Sequence, residues 1–339
     1  MSEDLHGSLP SAAQAGIGEH GENVRQGVED HEHAGEGQTA GLNDGHIALG
    51  DRVDHILPDA GIDEHVLDHD DADDQIGLLI VVFFLLTALI GPWFAPYGQS
   101  QSVGDTWAPV SAKMWLGADQ IGRDMLTRLI YGARMTIGIA AACTLLSFFI
   151  GITLGFIAAV MGSWVDTLLS RLVDVILSIP PLILALIVLG VFGSSIPVLI
   201  ITIGIIDSTK VFRLARALGM NITVLDYVEV ARMRGEGLWW IIRSEIMPNA
   251  MAPLVSEFGL RFCFNFLFVA SLSFLGIGVQ PPYADWGGMV RENAGAINFG
   301  LFAPLYPAIA IAMLTVGVNL VVDWLLSIDA RPSGAQAEM

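Results

Sequence analysis

Imidazoles and carboxylates stand together twice near the start of the sequence. His31 and His33 lie among Glu29, Asp30 and Glu32, and His65 and His69 lie among Asp63, Glu64, Asp68 and Asp70. Such a mixture can bind Ni2+, Zn2+ or Cu2+. The spacing does not repeat as a dedicated site would, and a segment this polar loses affinity to the cost of ordering itself. The expectation is therefore a solvated tail and no metal site. All eight histidines, with His6, His20, His46 and His55, fall in residues 1–75, leaving no imidazole elsewhere for general-base chemistry. The two lysines, Lys113 and Lys210, do not follow glycine, so no GxxxxGK[ST] loop exists to cradle a nucleotide phosphate. Gly276 and Gly278 lack the third glycine of a dinucleotide fingerprint, and neither GxSxG nor HExxH occurs. No enzyme activity and no cofactor in this chain are expected.

The remaining candidates are charges and prolines set inside or beside apolar runs. Glu257 and Arg261 are four residues apart, so on a helix they share a face and can neutralise one another. They read as a structural pair or as the wall of a solute path. Pro180 and Pro181 are expected to kink a helix and free carbonyls that can line a cavity, with core packing as the alternative. Asp174 and Asp323 read as boundary residues, and Gly151 and Gly155 have the GxxxG spacing of close helix contact. Cys143 and Cys263 lie in apolar runs and read as packing residues.

The most polar feature among these runs is DYVEVARMRGEGLWWIIRSEIMPN, Asp226 to Asn249. Asp226 can act as an N-cap, with Glu229 completing a capping box. Arg232 and Arg234 suit the negative end of the helix dipole, and Gly235 falls where a left-handed residue is wanted. A second helix, Leu238 to Ile246, is expected to stop at Pro248. Its apolar surface exceeds what water tolerates, so the protein's own helix ends, a partner or the lipid interface must cover it.

Apolar residues make up 53% of the chain and charged residues 15%. The apolar positions gather into runs near the roughly 20 residues that a spanning helix needs. They lie at Ile76–Ala95, Met135–Met161, Leu172–Phe192, Ser195–Arg216, Met251–Ile277 and Leu301–Leu326. The expectation is an all-α, polytopic membrane protein with about six spans, or five if the fourth, interrupted by Asp207 and Lys210, does not cross. Residues 1–75 hold 19 acidic residues against Arg25 and Arg52, so a disordered acidic tail is expected there, without an apolar signal-peptide segment. The organisation expected is that tail, a first span with an external segment at 76–134, a core at 135–330 carrying the hairpin at 226–249, and a short tail at 331–339.

Glu229, Ala231, Gly235, Ile246 and Pro248 have the spacing of the EAA loop of ABC importer permeases, with Val230 in place of the middle alanine. LGADQIGRDMLTRLIYGAR, Leu116 to Arg134, and SLSFLGIGVQPPYADWG, Ser271 to Gly287, resemble signatures of the C-type subunit in the dipeptide, oligopeptide and nickel branch. The likeness covers about Ile76 to Arg331. It implies a MetI-like ABC permease fold and a hairpin that couples to ATPase subunits through those five residues. By the same implication ATP and Mg2+ sit on two ATP-binding subunits or domains. A B-type permease and an extracytoplasmic substrate-binding protein complete the assembly, in a bacterial inner membrane with both termini cytoplasmic. Pro180, Pro181, Glu257 and Arg261 are the candidates for the solute path, and no nucleic-acid partner is expected. The solute would be a di- or oligopeptide. Alternatives are a nickel permease of the same family, an ion-driven secondary transporter, and a membrane-anchored metal sensor. No inverted repeat or chain of membrane-centred acids favours the secondary transporter.

Overall fold

The structure, a computed structural model, describes residues 64–330, with side chains described over 75–327. The expected solvated tail with its histidine chemistry and the short C-terminal tail lie outside these described residues. Nine helices follow one another among them: α1 (Glu64–Phe94), α2 (Met125–Met161), α3 (Ser163–Leu177), α4 (Pro181–Phe192), α5 (Ile196–Thr223), α6 (Asp226–Met233), α7 (Leu238–Phe274), α8 (Trp286–Asn293) and α9 (Leu305–Ala330). The only β pairing among the described residues is two isolated bridges, Ser102 with Arg123 and Ala118 with Asp124.

Four helices, α1 over Gln75–Phe94, α2, α7 and α9, are long and apolar enough to cross a membrane. The expected third span is broken: α3 and α4 meet at 85° and make one span only if counted together. Proline explains the break, because Ile179 before Pro180 is steered out of helical geometry and Pro181 then opens α4. The helix α5 has the length of a span, but Asp207, Lys210 and Arg213 interrupt its apolar run. By length and composition there are thus four spans, or five with the bent pair counted as one, which matches the five expected if the stretch interrupted by Asp207 and Lys210 is not counted as a span. Two other boundaries move. The helix α2 starts ahead of Met135, and α7 starts far ahead of Met251, absorbing the second half of the hairpin.

The most extensive helix contact is between α2 and α5. Gly151 and Gly155 make it possible. A Cβ on Gly151 would lie 2.6 Å from the Val211 Cβ and 2.8 Å from the Ser208 carbonyl oxygen; one on Gly155 would lie 2.9 Å from the Phe212 carbonyl oxygen. The GxxxG expectation therefore holds in its structural sense, since backbone itself occupies the space.

At the end of the bundle away from the hairpin, the two sequence stretches that resemble family signatures pack together. Asp124 caps α2 by accepting from the Thr127 N–H at 2.8 Å, and Asp285 caps α8 by accepting from the Gly288 N–H at 2.8 Å. Thr136 of α2 donates to the other Asp285 oxygen at 2.9 Å and accepts from the Trp286 N–H at 3.1 Å. Three buried charges and the half-buried Glu292 of α8 close the join. Arg128 reaches Asp119 and Glu292 at 2.6 Å each, and Arg123 reaches Asp119 at 2.6 Å and Glu292 at 2.8 Å. Burial works to raise the Asp119 pKa. The N–H groups of Arg123 and Ile121 and the two guanidiniums outweigh it and hold the carboxyl below its ordinary range.

Two outcomes follow from this packing. Gly155→Val should cost about 1–3 kcal/mol or more of stability, because the backbone it meets cannot move aside. Thermal unfolding in detergent should show a lower midpoint, while Gly138→Ala, with nothing within 4 Å of the added carbon, should not. The second concerns pH. The Asp119 pKa is depressed in the fold, so its stabilisation is complete above the unfolded value near about 4 and is lost as pH falls through the lower folded value. Asp119→Asn should lower the midpoint at pH 7 by the same amount as at pH 6, and the wild type should approach the variant only in strong acid.

Candidate coupling hairpin and solute path

The hairpin forms, with corrections. Leu225, in extended geometry, precedes the first helical residue, and no side chain caps α6. The expected capping box is absent because Val224 and Leu225 alone link α5 to α6 and the chain is already helical at Asp226. Asp226 and Glu229 still complement the dipole of that first turn. The exit is as expected. Gly235 has φ +82°, its N–H donates to the Arg232 carbonyl at 2.9 Å, and the Glu236 N–H donates to the Ala231 carbonyl at 3.2 Å. This pairing satisfies carbonyls that the helix end would leave open.

Pro248 does not stop the second helix. Leu238–Trp240 passes into a π segment, Ile241–Ile246, and on without a gap into Met247–Phe274. In the i→i+5 ladder the Met247 N–H donates to the Ile242 carbonyl, and Pro248, which lacks an N–H, sits where the register returns to α. The wider turn also explains why Ile241 and Ile246, five apart, both face inward. They are buried with Ile242, Val228 and Ala250 against Phe148 and Phe156 of α2 and Val211, Ala215 and Ile222 of α5. Burying each isoleucine at this end contributes about 1.5–3 kcal/mol. The protein's own helix ends thus cover the isoleucine part of the apolar face, while Trp239 stays exposed.

This separates the five hairpin residues into two groups. Ala231 and Ile246 are fully buried and hold the hairpin to the bundle. Glu229, Gly235 and Pro248 are exposed, and the Glu229 carboxylate has no hydrogen-bond or ion-pair partner among the described residues. Beside it on α6 lie Val230, 46% exposed, and Met233, 74% exposed, and on the second limb of the hairpin Trp239 is 62% exposed. Arg234 leans on Trp240, its guanidinium carbon 5.9 Å from the ring centre.

Glu257 and Arg261 do pair, Nε to Oε1 at 2.6 Å, as their spacing predicts. Sequence reasoning missed the company they keep. Near the middle of α5, Asp207 is 1% exposed and accepts from Ser147 Oγ at 3.3 Å and from Asn265 Nδ2 at 3.1 Å, with Arg261 at 3.5 Å. Asn265 also donates to Thr144 Oγ1 at 3.1 Å. Lys210 stands with its ammonium 3.7 Å from the centre of the Phe264 ring. The signal was in the sequence, since Asp207 and Lys210 break an apolar run, but it read as a weak span rather than as a site. Pro180 and Pro181 form the α3–α4 corner apart from this cluster, and Pro180 is exposed. Asp174, also exposed, pairs with Arg213, while Asp166 holds Arg216; together they tie α3 to α5.

Comparison with known proteins fits this architecture. Residues 151–331 match the family described as binding-protein-dependent transport system inner membrane component, and residues 75–108 match the N-terminal transmembrane domain of oligopeptide transport permease C. A di/tripeptide transport system permease protein DppC of Pseudomonas aeruginosa is 34% identical over 256 residues, covering 74% of this chain and 84% of that one. A dipeptide transport system permease protein DppC of Alkalihalophilus pseudofirmus is 31% identical over 252 residues, covering 74% and 83%. A solved amino acid ABC transporter chain aligns at 23% identity and a TM-score of 0.43, over 60% of this chain and 94% of that one. On the family match over residues 151–331 and the two DppC relatives, the chain belongs to the family of inner-membrane components of binding-protein-dependent transport systems.

Proposed function

We propose that this multi-pass chain is one of two permease halves of an ATP-driven importer for short peptides. Glu229 and its apolar neighbours form the face that meets an ATPase subunit. The observation that carries the reading is the two-sided hairpin. Its inner side is locked to α2 and α5 by buried isoleucines, while its outer side presents an unpartnered carboxylate within uncovered apolar surface. A body held in this way moves as a unit, so a push on its outer face is delivered to the helices behind it. ATP and Mg2+ belong to two partner subunits or domains, and a B-type permease and an extracytoplasmic binding protein complete the system. The peptide class is supported by the names of the relatives above.

In this reading the hairpin faces the cytoplasm, as do both termini, in a bacterial inner membrane, and the join of α2 with α8 faces outward. Solute passes along a wall to which Glu257 and Arg261 contribute, with Pro180 and Pro181 shaping its bend.

The hairpin is tested by substitutions that spare its packing. Glu229→Lys should weaken co-purification with the ATPase subunits, and Gly235→Val should lower peptide uptake severalfold at unchanged membrane expression. Nothing lies within 4 Å of a Cβ at Gly235, so the valine is opposed by its backbone angle alone, about 1–2 kcal/mol. Wild-type uptake by both variants would remove the hairpin from coupling. The orientation is tested by single cysteines at Ile297 and Gly237 after replacement of Cys143 and Cys263. An impermeant thiol reagent added outside intact cells should label the first and not the second, and the opposite pattern would invert the topology.

A further inference from the structure

The charged groups at the middle of α5 and α7 do not close on themselves. Asp207 and Lys210 lie near the midpoint of Ile196–Thr223, Thr144 and Ser147 lie past the midpoint of α2, and Glu257, Arg261 and Asn265 lie well inside α7. Two carboxylates face two cations, so the layer is neutral. Its pairing is nonetheless incomplete. Arg261 spends its Nε on Glu257 at 2.6 Å but meets Asp207 only at 3.5 Å. Lys210 makes no ion pair among the described residues and rests on the Phe264 ring, whose other near cation is Arg261 at 5.8 Å. Asn265 is fully buried, yet its Oδ1 accepts no hydrogen bond, because its amide is turned to Asp207 and Thr144. Unlike Asp207, the side chains of Glu257 and Arg261 keep 20% and 19% of their surface open. Charges at this depth that face lipid cost several kcal/mol, so a partly open, charge-balanced layer belongs against a watery path or a partner.

We propose that Lys210, Glu257 and Arg261, held by Asp207 and Asn265, form a subsite on the solute path for the charged ends of a zwitterionic peptide. The Lys210 ammonium and the free Arg261 donors take the terminal carboxylate, and Glu257 takes the terminal ammonium. The chemistry fits a carrier that must accept many side chains, because every unmodified peptide brings one charge of each sign at its ends. A neutral layer with weak internal pairs can exchange them for solute contacts without leaving a bare charge in either state. This inference rests on the peptide-importer reading.

The test uses the complete complex with its ATPase and binding-protein partners, reconstituted in vesicles. Phe264→Cys, beside Lys210 and Arg261 and leaving both cations in place, in a background lacking Cys143 and Cys263, should react with a small water-soluble thiol reagent. A dipeptide with free termini should slow that reaction at least tenfold, and the same dipeptide amidated at its C-terminus should not. Lys210→Met should reduce uptake of the free dipeptide at least tenfold with unchanged subunit co-purification, and Lys210→Arg should restore most of it. Labelling in the isolated chain but not in the complex would assign the layer to the partner permease and overturn the proposal. Labelling that neither dipeptide slows would overturn solute recognition while leaving peptide import standing. Wild-type vesicles that import no peptide would sink the importer reading, and the subsite with it.

Discussion

The close approach of α2 and α5 at Gly151 and Gly155 is the constraint on which the rest of this molecule depends. With backbone against side chain and carbonyl oxygen, the two helices have no freedom to slide. That fixed register sets Ser147 of α2 opposite Asp207 of α5, and through Asp207 it reaches Asn265 and Arg261 of α7. A few residues further along, the same pair presents Phe148, Phe156, Val211 and Ala215 as the surface on which the hairpin is seated. One crossing thus positions both a polar layer inside the bundle and the hairpin at its end.

The helix α7 connects these two places without interruption. It begins inside the hairpin at Leu238, passes the buried isoleucines, carries Glu257, Arg261 and Asn265, and ends beside the backbone that approaches Gly287. A helix this long transmits displacement along its axis better than a loop-linked pair would. The π segment is where its hydrogen-bond ladder changes register, and Pro248 just beyond it leaves one carbonyl without a partner in the ladder. If α7 has a joint, the physics locates it there rather than at Pro253 deeper in the helix, because two departures from the α ladder fall within one turn.

What could be read from the sequence was what one helix or one turn decides by itself. Apolar run length marked the spans on α1, α2, α7 and α9, the i,i+4 rule paired Glu257 with Arg261, and the glycine at 235 marked the left-handed exit. What escaped was decided between helices. Asp207 and Lys210 look like flaws in an apolar run until Ser147, Asn265 and Phe264 are brought to them from two other helices. Pro248 looks like a stop because a proline ends an α ladder, and nothing local announces that a π turn will receive it. The capping box failed for a similar reason: Asp226 and Glu229 have the right spacing, but the two-residue link from α5 fixes where helical geometry starts.

The two motif-bearing segments at the other end of the bundle show the same division of labour. Separately, Leu116–Arg134 and Ser271–Gly287 are a loop leading into a helix and a helix leading into a loop. Together, with Glu292 further along α8, they place Asp119, Arg123 and Arg128 within 3 Å of their partners and seat a fully buried Trp286 over α2. A largely buried tetrad of this kind contributes little net stability over an apolar equivalent, but losing one of its buried members strands the others at a cost of about 3–5 kcal/mol. Its value is therefore in specifying position. It anchors the start of α2 to α8, as the glycine crossing anchors the middle of α2 to α5 and the isoleucines anchor its far end to the hairpin. With α2 held at three levels, relative motion is left to α3 and α4, whose 85° corner rests on the exposed Pro180, the half-buried Pro181 and ion pairs that reach the surface.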